Sequence, residues 1–262
     1  MIRSRSLFAT ACWVLFLIPL YFSSAQNGAM SSASAFSGGV FVTPVPNAPF
    51  SAEVDQSITQ VLHDGSYFER KNIALIARDG PGRIHNERHE ILPASSTEKP
   101  RIISVHIYDP ETRLNTFLNP YTHIARQNIT PQPPSTEPPK NGWVHLKSPI
   151  SSMPNLQVED LGTNMIGGLE VHGYKRTVTI PAKASGTDRP VVVYDEIWYS
   201  EELHINLQTR QYDPRIGSLT LTVTNTNVGE PDAELFAIPT DYKLVDMTPP
   251  ELEARDPGRV DQ

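Results

Sequence analysis

Strict alternation of apolar and polar side chains near the C-terminal end constrains this chain more than any other feature. Three apolar residues alternate there with three threonines: Leu219, Leu221 and Val223 with Thr220, Thr222 and Thr224. A period of two residues is typical of a β-strand with one buried face and one solvated face. Apolar runs at 191–199 and 203–212 precede this strand. The stretch 189–244 therefore predicts a three-stranded antiparallel meander, followed by one helical turn at 231–236.

The sequence upstream of the meander shows the same pattern less regularly. Apolar runs bounded by turn residues predict further strands at 50–62, 67–78, 83–91, 101–108, 114–118, 122–126, 164–166 and 169–180. Asp64-Gly65 lies between two of these runs, and an Asp-Gly pair in that position indicates a hairpin. No segment sustains a 3.6-residue period. The pattern predicts a mainly β, antiparallel fold with very little helix.

The N-terminal residues have the layout of a secretory signal. Arginines at positions 3 and 5 precede an apolar run at 7–22, and small residues end the segment at Ala25. We expect residues 1–25 to be a signal peptide that is cleaved before Gln26, so that the protein is secreted or periplasmic. Cleavage removes Cys12, the single cysteine, and leaves no disulfide. An uncleaved anchor is the alternative, but the apolar run is shorter than the roughly 20 residues of a membrane span.

Composition divides the rest of the chain into three parts. Residues 26–49 are rich in Ser, Ala, Gly and Pro and are predicted to be a flexible leader. A single antiparallel β domain is predicted at 50–246, with a proline-rich excursion at 127–154 in which strand pairing is disfavoured. A domain boundary inside the excursion is the alternative. Residues 247–262 are predicted to be a disordered tail.

The charge balance of the chain is acidic. It has 22 Lys and Arg residues against 29 Asp and Glu residues, a formal net charge of −7. Nucleic acids and anionic membrane surfaces are bound by clusters of basic residues, so we expect neither as a partner. After signal removal no further apolar run approaches the length of a transmembrane segment, and none is expected.

The meander and the residues after it resemble a known superfamily. The motifs are Trp198-Tyr199-Ser200 with Leu203, Asp213-Pro214 with Gly217, and Leu235-Phe236 with Pro239 and Tyr242. This order is similar to the C-terminal half of the periplasmic lipoprotein-carrier superfamily, which includes the outer-membrane lipoprotein chaperone and the sensor domain of sigma-factor regulators. The surroundings of 161–163 and 189–190 are also similar to uncharacterised secreted proteins of acidobacteria. The resemblance implies a strongly curved, half-barrel-like antiparallel sheet whose concave face holds acyl chains or a hydrophobic protein segment.

Apolar and aromatic residues of the predicted strands are the candidate ligand contacts. They are Ile103, Val105, Ile107, Tyr194, Trp198, Leu219, Leu221 and Val223. Pocket linings and protein cores use the same residue types, so ordinary core packing is the alternative for all of them.

Two histidines are weak candidates for a metal site. His85 and His89 share a face whether the segment is a helix or a strand. In a strand four residues span roughly 13 Å, which is too far for one ion. The turn before them and the pattern of Ile84 and Ile91 favour a strand, so we assign no metal ligand and expect no cofactor.

No local motif for catalysis occurs in the sequence. It has no G-x-S-x-G elbow, no P-loop and no G-x-G-x-x-G, so no catalytic residue is assigned and enzymatic activity stays an open question. The favoured function is a noncatalytic binding protein for a lipid, a lipoprotein or a hydrophobic peptide. The alternatives are a metal-assisted hydrolase that uses His85 or His89, and a structural or regulatory envelope protein that acts through a protein partner.

Overall fold

A computed structural model describes residues 40, 42–62, 64–131 and 155–250. The described residues form thirteen strands: β1 (Phe50–Val61), β2 (Tyr67–Arg78), β3 (Ile84–His89), β4 (Leu92–Pro93), β5 (Ile102–Asp109), β6 (Leu114–Asn119), β7 (Ile124–Ile129), β8 (Leu156–Ile166), β9 (Leu169–Ile180), β10 (Val191–Ser200), β11 (Ile205–Asp213), β12 (Gly217–Val228) and β13 (Lys243–Asp246). The helical elements that the structure describes in full are α1 (Ala182–Ser185) and a 3-10 turn at Ala233–Phe236. The predicted mainly β fold with very little helix is confirmed.

All thirteen strands belong to one open, curled sheet that is not closed into a barrel. The order is β13-β7-β6-β5-β3-β2-β1-β12-β11-β10-β9-β8, and β4 pairs with β2 beside this path. Neighbouring strands are antiparallel, except that β13 runs parallel to β7. The chain winds outward from β1 to β7, restarts at the far edge with β8, and returns to the centre with β12. The predicted curved antiparallel sheet is therefore confirmed.

The pairing of β1 with β12 joins the two halves of the sheet. Val54 lies opposite Val223, and Leu219 of the alternating strand is 1% exposed. Gly217 begins β12 at φ 116°, and a Cβ there would lie 1.8 Å from the carbonyl oxygen of Thr59. Only glycine permits this backbone approach, so residue 217 fixes where β12 meets the end of β1.

The main hydrophobic core combines β1, β2, β3, β9, β11 and β12 with the chain that precedes β1. Its buried members are Val40, Val42, Phe50, Ala52, Val54, Ile76, Ile84, Leu169, Val171, Leu203, Ile205, Leu207, Leu219, Leu221 and Val223. Trp198 packs against this cluster and lies over Gly173, where a Cβ would approach the indole to 2.5 Å. Full burial of one such aliphatic side chain contributes about 1.5–3 kcal/mol, so this core is a major source of stability.

The structure differs from the prediction at several boundaries. β8 is much longer than the predicted strand at 164–166, because Gly162 (φ 74°) forms a bulge and does not end the strand. β7 runs to Ile129, three residues into the predicted excursion. β4, β13 and α1 were not predicted, and Val42, inside the predicted leader, is buried in the main core. The predicted signal peptide and most of the leader, excursion and tail lie outside the described residues.

Candidate functional site

The register of five neighbouring strands brings one set of side chains to a single face of the sheet. Ile76 of β2 lies opposite Asn86 of β3, which lies opposite His106 of β5, which lies opposite Phe117 of β6. Ala74, on the same face of β2, lies opposite Val54 of β1. Because residues that face each other across antiparallel strands project to the same side, these residues share a surface. We call it the cavity face.

A cavity of about 820 Å³ opens on the cavity face. Its apolar floor includes Ile76, Ile84 and Phe117, and Val40, Val42 and Pro44 line it from the segment before β1. Polar residues also contribute to the lining: Gln56, Asn72, Asn86, Arg88, Ser104, His106 and Asn115. This volume is within the range of roughly 300–1,000 Å³ that is typical of small-molecule sites, and the mixed lining suits a ligand with both apolar and polar parts.

Arg78 holds the segment before β1 against the cavity face. Its side chain is fully buried, and its guanidinium donates hydrogen bonds to the carbonyl oxygens of Thr43 (2.8 Å), Ala48 (2.6 and 2.9 Å) and Leu203 (2.6 Å). The guanidinium also lies 5.1 Å from the ring centre of Phe50. Burial lowers the pKa of Arg78 to about 10, so the group keeps its charge at neutral pH. One side of the cavity therefore depends on a single buried cation.

His106 is a titratable group that lines the cavity. Its ring stacks on Phe117 with ring centres 4.7 Å apart, and its Nε2 hydrogen-bonds the amide oxygen of Asn115. Burial lowers the pKa of His106, against the smaller raising effect of the Asn115 hydrogen bond. Asn115 in turn donates to the side chain of Asn128 at 3.5 Å. The floor thus presents a neutral, oriented polar network beside apolar surface.

On β3, β5 and β6, and on the neighbouring β7, the face opposite the cavity packs against the C-terminal segment, residues 230–248. Val105, Ile107, Leu118 and Ala125 form a second buried cluster, against which Ile238 and Tyr242 pack. The 3-10 turn adds Phe236, whose ring meets His85 edge to face at 6.5 Å. Thr248 is buried and accepts a hydrogen bond from the backbone N–H of Ile129 at 3.1 Å. The side chains on this face are therefore already occupied by the chain itself.

The two candidate metal ligands both contact one carboxylate. Glu87 accepts from His85 at 3.3 Å and from His89 at 2.6 Å, through different oxygens. Burial raises the pKa of Glu87, but the two histidine hydrogen bonds outweigh it and the net pKa lies below its ordinary value. Nδ1 of His85 contacts the carbonyl oxygen of Leu235 at 2.6 Å. Within the described ranges no group of three His, Cys, Asp or Glu residues is placed to hold a metal ion.

The structure separates the eight predicted ligand contacts. Leu221 lines the cavity, whereas Leu219, Val223 and Trp198 belong to the main core. Val105 and Ile107 belong to the second cluster, under the C-terminal segment, and Ile103 lies half-buried on β5, where the register with β3 shifts. Tyr194 stacks on Tyr212 of β11, with ring centres 5.3 Å apart. Whether any of them touches a ligand remains a prediction, but they do not form one surface.

Sequence reasoning missed most of the cavity lining because much of it is polar. Asn72, Ala74, Ile76 and Arg78 occupy every second position of β2, which is the strand period, yet two of the four are polar. Interior-facing polar residues at strand spacing were the available signal.

Comparisons with known proteins show a distant likeness in structure. No family model and no curated protein matches the chain. An uncharacterized conserved protein from Thermus thermophilus is 12% identical, with 76% of this chain and 91% of that chain covered at a TM-score of 0.37. MucB in the Pseudomonas aeruginosa MucA/MucB complex is 10% identical (74% and 58% covered, TM-score 0.35), and LprF from Mycobacterium bovis is 11% identical (74% and 90%, 0.31). These TM-scores are low, and we infer neither family nor function from them.

None of the helices in the described part of the chain has the length and apolar character needed to cross a bilayer.

Proposed function

We propose that this chain is a noncatalytic binding protein that holds a ligand with a hydrocarbon chain in the cavity. The observation that carries the proposal is the cavity of about 820 Å³, whose apolar lining includes the core residues Ile76 and Ile84 and the 45% exposed Phe117. Each buried CH₂ group of a ligand contributes about 0.8 kcal/mol, so a long alkyl chain fits such a floor well. The second cluster differs from the cavity lining, because the C-terminal segment covers its apolar side chains.

An extracytoplasmic location is part of the same proposal. The layout of residues 1–25 supports export, and export agrees with a mature chain that lacks cysteine. N-terminal sequencing of the protein from its native envelope tests the location. A mature N-terminus at Gln26 is expected, and an intact Met1 would contradict export by signal cleavage.

The binding test uses displacement of a fluorescent fatty acid from the purified chain. Ala74→Phe places a ring into the cavity and is expected to weaken binding at least tenfold, as overfilling a preformed site does. Leu75→Phe is the matched control, because Leu75 lies opposite Glu53 on the other face of the same strand. Equal affinities of wild type and Ala74→Phe would place the ligand elsewhere, and a wild-type chain that binds no probe would refute the proposal.

A further inference from the structure

One end of the cavity collects hydrogen-bond donors. Arg88 of β3 lies opposite Ser104 of β5, and Gln56 of β1 lies opposite Asn72 of β2. All four line the cavity. Arg88 is exposed, whereas Gln56 is only 9% exposed, so this end runs from the solvent into the interior.

Three of these groups lack a side-chain partner in the part of the chain that the structure describes. Among the described residues, the guanidinium of Arg88, the hydroxyl of Ser104 and the amide of Gln56 take part in no side-chain hydrogen bond or ion pair. Asn72 differs, because it donates to the backbone carbonyl of His89 at 3.4 Å. Gln56 lines the open cavity, so a ligand that enters the cavity can supply the hydrogen-bond partner that its amide lacks.

The charges around the cavity favour one class of partner. Arg88 and Glu87 are the formally charged residues of the described lining, and the Glu87 carboxylate accepts hydrogen bonds from His85 and His89. Within the described residues Arg88 forms no ion pair, so its guanidinium is available to an anionic group of a ligand. The planar fork of a guanidinium binds a carboxylate through two parallel hydrogen bonds.

We propose that the cavity takes a long-chain carboxylate, with its headgroup at Arg88, Ser104 and Gln56. This proposal rests on the proposed function and adds the headgroup to it. The hydrocarbon chain runs from this end along the apolar floor, past Ile76 and Phe117. The carboxylate stays near the solvent, where its desolvation costs least, and Gln56 supplies a donor at its inner side.

The test compares three ligands of equal chain length, each below its micelle-forming concentration. Palmitate, methyl palmitate and hexadecyl phosphate are titrated against wild type and Arg88→Met. Wild type is expected to bind palmitate about tenfold more tightly than the ester, the size of a charge-assisted pair that is partly exposed to water. Arg88→Met is expected to lose that difference and to bind the ester as wild type does. Arg210→Met, which removes an arginine of β11 that lies 3.8 Å from Glu196, is the control and keeps the difference.

The outcomes separate this inference from the proposed function. If wild type binds palmitate and methyl palmitate equally, the carboxylate assignment fails while binding in the cavity stands. If hexadecyl phosphate binds more tightly than palmitate and depends on Arg88, the headgroup is a phosphate and the assignment is overturned. If acetate alone competes with palmitate at equal concentration, the site binds free anions and does not recognise the hydrocarbon chain of the ligand, which overturns the proposal. If no ligand binds wild type, the proposed function itself fails.

Discussion

Substitution of Arg78 by methionine is expected to destabilise the protein strongly. Methionine approximates the aliphatic part of arginine but donates no hydrogen bond, so the carbonyl oxygens of Thr43, Ala48 and Leu203 lose their donors. Each buried acceptor left unpaired costs about 1–3 kcal/mol. Thr43 and Ala48 regain water if the segment before β1 detaches, but Leu203 is 1% exposed and its surroundings stay buried. We therefore expect a loss of about 3 kcal/mol, which is a large fraction of the stability of a typical domain.

Two measurements test the expected loss of stability in Arg78→Met. Urea unfolding monitored by tryptophan fluorescence gives the free energy of unfolding, and amide hydrogen exchange reports opening at residues 42–48. Arg78→Met is expected to lower the first and to remove protection from the second. Arg78→Lys should lie between the two proteins, because an ammonium has three donors on a flexible stem but lacks the planar fork. Arg126→Met is the control, since Arg126 is exposed and surface changes usually stay within about 0.5 kcal/mol.

The account of this site is refuted if Arg78→Met unfolds within about 1 kcal/mol of wild type, which is less than one unpaired buried acceptor costs. Unchanged exchange at residues 42–48 would also contradict it. In that case the segment before β1 would be held by the packing of Val40 and Val42 alone, and Arg78 would not determine one side of the cavity.

Three further changes test other parts of the structure by urea unfolding. Glu87→Gln should lower the free energy of unfolding by about 1–2 kcal/mol at pH 7. Because the net pKa of Glu87 lies below its ordinary 4.5, the stabilisation by Glu87 is present above pH 4.5 and is lost as the pH falls through the folded-state pKa. A loss of stability in the variant that persists at low pH would contradict this cause. Gly217→Ala should cost about 3 kcal/mol or more, because φ is 116° and the added Cβ meets Thr59; a cost under 1 kcal/mol would mean that β12 does not approach β1 this closely. Phe236→Ala should cost about 3 kcal/mol yet leave fatty-acid affinity unchanged, whereas a parallel loss of affinity would argue against a purely scaffolding role for the C-terminal segment.

Local signals in the sequence account for the strands that were predicted well. The threonine alternation of β12 works because one face of a central strand is buried and the other is wet, and the structure buries Leu219 and Val223 accordingly. The hairpin at Asp64-Gly65 forms with Gly65 at φ 82°, as its turn chemistry indicates. In both cases the residues that determine the strand or turn lie within a few positions of it in the sequence.

Long-range pairing accounts for the parts that were missed. β13 is four residues long with one half-buried side chain, and it exists because β7 offers a parallel edge more than a hundred residues away in sequence. Gly162 was predicted to end a strand, but glycine also permits a bulge within a strand, and a bulge is found there. No local pattern distinguishes these alternatives.

The predicted contacts Val105 and Ile107 lie on the face of β5 opposite the cavity, and whether they touch a ligand stays a prediction. Val105 and Ile107 are the more apolar face, and a hydrophobic face indicates burial without saying what buries it. Here the C-terminal segment does so. The cavity lies over the more polar face, with Ser104, His106 and Tyr108, because no described segment of the chain fills the space there.

Photoaffinity labelling tests the central claim most directly. A palmitate analogue with a diazirine along its chain is bound to the whole protein, photolysed, and its sites of attachment are assigned residue by residue with tandem mass spectrometry. Attachment at cavity-face residues such as Ile76, His106 and Phe117, competed by unlabelled palmitate, is the predicted result. Competable attachment at Phe236 or Tyr242, on the opposite face, or no competable attachment at all, would contradict the account.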